Sequence, residues 1–307
     1  MNNPNKQNIL VVGSSNTDMV IKTGHLPRPG ETVTGGTFFM NPGGKGANQA
    51  VAIARLDGRV TFICKTGNDV FGNQSKHLFE IEGIDTSFMF SDPDHPSGVA
   101  LITVDSNAEN CIAVASGANA NLLPADLSSV NEAIGKADII LMQLEIPMET
   151  IKYAADLARK LDKKVILNPA PAQPLDSELL QSLYLLTPNE TEAEMISGIK
   201  ITDDHSLQAC ARAIYNKGVR SVIITLGAKG AYLYNDAVQE YIPSYTVSAV
   251  DTTAAGDVFN GALAVAISEG FELLEAIRFA NKAAAISVTR VGAQASAPYR
   301  HEVDIFV

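Results

Sequence analysis

The chain has 307 residues, with 23 Lys and Arg against 34 Asp and Glu, a formal net charge of −11. That length suffices for one large α/β domain whose core needs neither disulfide nor structural metal, and the acidic balance excludes a general nucleic-acid or anionic-membrane binder, which needs basic patches. The three cysteines, Cys64, Cys111 and Cys210, are too scattered for a disulfide framework or a zinc cluster and read as thiols in a reducing compartment.

The first eight residues are polar and lead directly into an apolar strand, with no secretory h-region and no later run of roughly 18 apolar residues. A soluble, cytoplasmic protein is expected. Short β-branched runs at 9–13, 60–64, 139–143, 165–168, 184–187 and 222–225 read as buried strands. Amphipathic stretches at 149–161 and 207–217 follow two of them, and a third, 273–286, comes late in the chain. The order predicts an α/β fold: a mostly parallel sheet covered by helices on both faces. Two stretches break the pattern. Residues 20–41 carry strand-like runs punctuated by Gly and Pro, and 98–116 reads as a hairpin whose turn spans 105–110. Together they predict a small projecting β-sheet, which covers a substrate, pairs with another subunit, or both. The alternative is a pair of extra strands on the edge of the main sheet.

The chemistry-bearing residues come in sequence order. Asn16 and Asp18 follow the first strand, where an Asn and an Asp suit paired hydrogen bonds to neighbouring hydroxyls, or simply form a turn. Asn41-Pro-Gly-Gly-Lys-Gly-Ala-Asn48 opens a helical run. Bare backbone at Gly44 and Gly46, with Lys45 and Asn48 as side-chain partners, fits a compact polar ligand. It is not a Walker loop, since no Gly-x4-Gly-Lys-Ser/Thr occurs. Glu145 is an acceptor at a strand end. Asn189 and Glu192 have capping-box spacing, and Glu192 also suits a magnesium held mostly through water. The turn Thr225-Leu-Gly227-Ala-Lys229-Gly230 offers backbone N–H groups to a phosphate or ribose, or is an ordinary hairpin. Asp251-Thr-Thr253-Ala254-Ala255-Gly256-Asp257 puts small residues and a carboxylate at a helix start. An anion hole beside a base is what phosphoryl transfer to an alcohol needs, and a helix-starting acid is the plain alternative. Last, Ser287-Val-Thr-Arg290-Val-Gly292-Ala-Gln-Ala-Ser296 ends a helix and offers free carbonyls.

These motifs, in this order, resemble those of the ribokinase/PfkB carbohydrate kinase family, from about residue 8 to the C-terminus. The resemblance implies a ribokinase-like three-layer sandwich, one kinase domain over 1–307, with a β-sheet lid from about 20–41 and 98–116. It implies MgATP-dependent phosphorylation of D-ribose at its 5-hydroxyl. Carried over by position, Asp257 matches the base, and Ala254, Ala255 and Gly256 the anion hole. Asn16, Asp18, Gly44, Lys45, Gly46, Asn48 and Glu145 match sugar contacts. Asn189, Thr225, Gly227, Lys229, Gly230, Gly256 and Asn281 match nucleotide contacts, and Glu192 the Mg²⁺ organiser. Asp251, Thr253, Ser287, Arg290, Gly292 and Ser296 match an activating K⁺ site, several through carbonyls. The family more often has Gly where this chain has Ala254. The resemblance further implies a homodimer formed through the lid and no nucleic-acid or membrane partner. Another sugar (deoxyribose, fructose) or a nucleoside as acceptor, and a non-catalytic sugar or nucleotide binder, stay open. A Rossmann dehydrogenase does not fit, because the first strand is followed by Gly13-Ser-Ser-Asn-Thr-Asp18 rather than Gly-x-Gly-x-x-Gly.

Overall fold

The computed structural model describes residues 7–107 and 109–307; the start of the polar segment, 1–6, and Ala108 in the expected hairpin turn lie outside the described residues. In chain order come strand β1 (Asn8–Val12), β2 (Asn16–Lys22), β3 (Thr37–Gly43), helix α1 (Lys45–Arg55), β4 (Arg59–Gly67) and α2 (Val70–Ile81). Then follow β5 (Met89–Asp92), β6 (Gly98–Val104), β7 (Asn110–Ala115), α3 (Pro124–Ser128), α4 (Asn131–Lys136), β8 (Ile139–Met142) and α5 (Met148–Lys160). The next elements are β9 (Lys164–Leu167), α6 (Ser177–Gln181), β10 (Leu185–Leu186), α7 (Glu190–Ser197), α8 (Asp204–Tyr215) and β11 (Val222–Thr225). The chain closes with β12 (Gly230–Tyr234), β13 (Gln239–Pro243), α9 (Ala255–Ser268), α10 (Leu273–Ser287) and α11 (Arg300–Ile305).

Nine strands form one sheet in the order β13-β12-β11-β10-β9-β8-β1-β4-β5. Seven are parallel, and β12 and β13 run antiparallel at one edge. The apolar runs are explained by burial on both faces. Ile9 and Val11 enter one core with Ile139 and Leu141, while Leu10 and Val12 enter the other with Ile140 and Met142. The first core is roofed by α1, α9 and α10, and the second by the helices from α3 to α8. Helix α9 is apolar nearly all round, as a helix packed on every side must be, and is buried from Asp257 to Ser268. It crosses α1 closely at Gly261, where a Cβ would lie 2.7 Å from Ala52 Cβ and 3.0 Å from the Gln49 carbonyl.

Four strands form a second sheet, β3-β2-β6-β7. It is separate from the main sheet, so the edge-strand alternative is set aside. Its first strand begins at Asn16, ahead of the expected stretch, and its second runs to Gly43. Asn16 and Asp18 therefore stand on a strand rather than in a loop, paired with Gly43 and Asn41 on one side and Gly98 and Ala100 on the other. The expected strand at 184–187 shrinks to the two residues Leu185–Leu186, although the Tyr184 and Thr187 N–H groups still donate to the Val165 and Leu167 carbonyls of β9 at 2.9 and 3.0 Å.

Candidate active site

From β1 the sheet is built outward in opposite directions, to β4 on one side and β8 on the other, so the carboxyl ends of β1 and β8 border a topological switch point. The site forms there. The residues after β1 receive the first turn of α1: Ala47 N–H donates to the Ser14 carbonyl at 2.9 Å. Two glycines make this approach possible. Gly44 has φ 89° and a Cβ there would lie 2.7 Å from Asn16 N, while a Cβ on Gly46 would lie 2.6 Å from Ser14 N. Both were expected against sugar, and both have a packing reason of their own. Glu145, just past β8, completes the junction. Its Oε2 accepts the Ser14 hydroxyl at 2.5 Å and the Lys45 N–H at 3.0 Å, so it caps the helix that carries Lys45.

Asp257 lies buried in the first turn of α9, 5% exposed. Asn48 Nδ2 donates to its Oδ2 at 2.9 Å and Gln49 Nε2 to its Oδ1 at 3.0 Å. Burial pushes its carboxyl up, opposed by the Lys45 charge and by these two amides. Asn48 is itself buried, and its Oδ1 has no partner, an acceptor waiting for a donor such as a hydroxyl. Burial lowers the Lys45 ammonium, but Asp257, Glu145 and Glu192 outweigh it and hold the group above its ordinary value. Asp18 is pushed up to about 6, first by burial and then by Glu145 and Asp257. Asn16 is held by Asn119, whose Nδ2 donates to Asn16 Oδ1 at 2.8 Å, leaving the Asn16 amide hydrogens as its donors. The result is a cluster of carboxylates and amides around one lysine, suited to a polyhydroxyl ligand.

On the other flank of α9 lies a cavity of about 350 Å³ lined mainly by apolar groups. Thr225, Gly227, Gly230, Gly256 and Asn281 border it, as does the segment from Ser244 to Val247, which the sequence did not single out. Asn281 Nδ2 donates to the Pro243 carbonyl at 3.2 Å, tying α10 to that segment. Lys229 does not border this cavity. It is exposed and faces a separate hollow beside Tyr232 and Tyr241, because the turn at Gly227–Lys229 directs its side chain away. Ala254 sits at φ 58°, ψ 12° ahead of α9, a left-handed conformation that costs an alanine about 1 kcal/mol and explains why glycine suits the position. Ala255 N–H makes a long 3.3 Å bond to the Thr252 carbonyl, whereas the Gly256 and Asp257 N–H groups are first-turn donors with no carbonyl below them. Nothing lies within 4 Å of a Cβ built on Gly256, so the space above that turn is open to an anion.

Asn189 and Glu192 form the capping box in full. Asn189 Oδ1 accepts the Glu192 N–H at 2.8 Å, and Glu192 Oε2 accepts the Asn189 N–H at 2.9 Å. Burial raises the Glu192 carboxyl, with Lys45 and Asp257 close enough to act on it. Asp251 joins two loops: Oδ1 accepts the Thr253 N–H and Oδ2 the Gly292 N–H, each at 2.9 Å. Burial raises its carboxyl, but these donors outweigh it and hold the group below the usual range. Ser287 and Ser296 are buried and donate to the carbonyls of Ala284 and Ala293, so their oxygens are left only as acceptors. The Arg290 guanidinium is turned away onto Glu302. Among the described residues, no group of three or more His, Cys, Asp or Glu is placed to hold a metal ion, and no helix is long and apolar enough to cross a membrane.

The residues that sequence reasoning missed are Gln49, Gln143, Asn119 and the 244–247 segment; Asn168 was a candidate only by its place at a strand end. Gln49 and Gln143 carried a faint signal, an amide bordering an apolar run; the other two carried none.

Residues 6–300 match the model of the pfkB family carbohydrate kinases. The chain is 45% identical over 297 residues to the ribokinase of Haemophilus influenzae, covering 97% of each chain. It superposes on the crystal structure of Thermotoga maritima ribokinase with a TM-score of 0.91 at 42% identity, covering 98% of this chain and 99% of that one. It is similar also to Arabidopsis thaliana ribokinase complexed with ribose and ATP, with a TM-score of 0.91, 33% identity and 97% of each chain covered.

Proposed function

The chain belongs to the pfkB family of carbohydrate kinases, and from that premise we propose that it transfers the γ-phosphoryl group of ATP to O5 of D-ribose, giving D-ribose 5-phosphate and ADP. What carries this reading is the first turn of α9. It stands between the apolar cavity on one flank and the Asp18, Lys45, Asn48 and Glu145 cluster on the other, with Asp257 facing the cluster. ATP occupies the cavity, its base among the apolar groups near Tyr245 and Phe259. Ribose lies against Asn16, Asp18 and Lys45, and the unpartnered Asn48 Oδ1 accepts a hydrogen bond from one sugar hydroxyl. Asp257 accepts the 5-hydroxyl proton as the phosphoryl group moves. The transition state is loose, so an ordinary carboxylate suffices and little early deprotonation is needed. The Gly256 and Asp257 N–H groups stabilise charge on the transferred oxygens, where one such donor is typically worth ~10²–10³ in rate.

The small sheet acts as a lid on this single kinase domain. Val114 stands opposite Ala100 and so shares the face of Asp18, yet it is exposed; closure over a sugar covers it and excludes water. The opposite face carries the exposed Ile21, Phe38, Met40 and Leu101, an apolar patch that suits a second copy of the chain and hence a homodimer. Glu192 would assist, through water, a magnesium ion brought by the nucleotide phosphates, and the ion would neutralise phosphate charge. The oxygens of Asp251, of the Ser287 and Ser296 hydroxyls and of carbonyls near Thr253, Arg290 and Gly292 would hold K⁺, which would shape the loop ahead of α9. Cys64, Cys111 and Cys210 are free thiols, which fits a cytoplasmic setting.

With MgATP and a panel of pentoses, hexoses and nucleosides, ADP release is expected fastest with D-ribose. A higher kcat/KM for 2-deoxyribose or fructose would reassign the acceptor, and no ADP above background with any of them would point to a binding protein. At matched ionic strength, rates are expected several-fold higher in K⁺ than in Na⁺, with the difference lost in Asp251→Ala; equal rates in the two salts speak against the cation site.

A further inference from the structure

Gln49 belongs to neither the sugar nor the nucleotide contacts, yet it is completely buried and touches Asp257. It sits on α1 opposite the close crossing at Gly261, one turn along α9 from Asp257, so the helix contact fixes its distance from that carboxylate. All of its polar atoms are engaged. Nε2 donates to Asp257 Oδ1 at 3.0 Å and to Asn168 Oδ1 at 3.1 Å, and Oε1 accepts from Gln143 Nε2 at 2.6 Å. Gln143 follows β8 and Asn168 follows β9, so the ends of two neighbouring strands grip one side chain. Asn168 Nδ2 donates in turn to the Thr187 carbonyl at 3.2 Å; the Thr187 hydroxyl donates to Asn260 Oδ1, and Asn260 Nδ2 to the Gly256 carbonyl at 2.8 Å.

The direction of this chain is forced. An ionised Asp257 only accepts, so Gln49 must present its NH₂ to it and its oxygen to Gln143. Gln143 must then present its own NH₂, which leaves Gln143 Oε1 without a partner, buried against the backbone at Gly13. A buried acceptor left unsatisfied costs free energy, and the arrangement that tolerates it is the one that keeps Gln49 facing the base. We propose that Gln49 is a positioning residue that aims Asp257, and that Gln143 acts through it by deciding which end of its amide meets the carboxylate. This rests on Asp257 being the base. Neither glutamine touches substrate; each acts through the orientation of Asp257, where a displacement of about 1 Å can cost 10²-fold in rate.

The test measures kcat and both KM values for wild type, Gln49→Met, Gln143→Met, the double variant and Asp257→Asn, with melting curves to establish the folded state. Methionine keeps the volume and removes the donor. Gln49→Met is expected to lower kcat ~10–100-fold with both KM values within about threefold. Gln143→Met is expected to lower kcat by about 3–10-fold, and the double variant to fall no further than Gln49→Met, because the two act in series. A kcat for Gln49→Met within twofold of wild type, a loss expressed in the sugar KM, or losses that multiply in the double variant overturns the proposal. If Gln49→Met does not fold, Gln143→Met decides alone: an unchanged kcat overturns the proposal, and a lowered kcat with unchanged KM values supports it. Near-wild-type turnover in Asp257→Asn instead sinks the base assignment itself, whereas an inactive Asp257→Asn beside a normal Gln49→Met sinks only the positioning role.

Discussion

Asp257→Asn is expected to lower turnover by at least about 10³-fold while ribose affinity changes by less than about threefold. A positioned general base typically supplies ~10²–10⁴, and on the proposed mechanism the upper part of that range applies because the base is assigned to the same turn that would receive the phosphate. The substitution keeps the shape but not the hydrogen-bond logic. An ionised Asp257 accepts from Asn48 on one oxygen and from Gln49 on the other. An asparagine offers one acceptor and one donor, so one of the two amides faces another N–H group and must turn aside. Asn48 and Lys45 stay on α1, and ribose still meets Asp18 and Glu145. Initial rates with MgATP, read beside ribose binding by calorimetry, check this; rates within tenfold of wild type would remove Asp257 from the chemistry.

Asp18→Asn is expected to act on binding instead: a ribose KM higher by about 10–100-fold with little change in kcat. A hydrogen bond to a charged group is worth ~1.5–3 kcal/mol, which sets that range. The pH dependence follows from the carboxyl being pushed up to about 6 by burial, Glu145 and Asp257. Above pH 6 Asp18 is ionised and accepts from sugar hydroxyls. As the pH falls through 6 it protonates, so the wild-type ribose KM rises toward pH 5, while that of Asp18→Asn stays flat. Stability moves the other way. The folded-state value lies above the unfolded 3.8, so the folded chain holds this proton more tightly. The resulting destabilisation is complete above pH 6, shrinks as the pH falls through 6, and is gone below about 4. Asp18→Asn therefore stabilises the protein at pH 7, on the order of 3 kcal/mol, with a gain that fades on acidification. Denaturant melts at pH 7 and pH 5 check it; equal gains at both would show that Asp18 titrates normally.

The main sheet was legible in the sequence because its strands bury both faces. Runs such as Ile9-Leu-Val-Val12 have no polar alternation, and turn residues bound them. The motif order was legible because each motif sits at an end of a strand or of a helix. The start of the small sheet was not. β2 follows β1 after only three residues, its opening Gly13-Ser-Ser-Asn-Thr-Asp18 has the composition of a turn, and its partners come from Thr37 onward and from Gly98 onward. Its extent is thus decided by pairings remote in sequence. Lys229 shows the opposite limit: a lysine in a glycine turn has the composition of a phosphate binder, but the turn geometry aims it outward. Gln49 lies in an Ala-rich helix whose residues from Gly46 to Ile53 are all buried, so no periodicity distinguishes a buried amide from its apolar neighbours.

The placement of α9 and α10 also constrains how the chain acquires this shape during synthesis. Ile9, Val11, Ile139 and Leu141 belong to the core roofed by these two helices, which span Ala255–Ser287. A ribosome that has made the first 200 residues has produced most of the sheet but, of α1, α9 and α10 on that side, only α1. The nascent chain therefore carries a sticky apolar plane through most of translation, the kind of surface that chaperones bind and that aggregates when left bare. Chains that stop short of α9 should precipitate rather than fold partway, although their helices from α3 to α8 are complete.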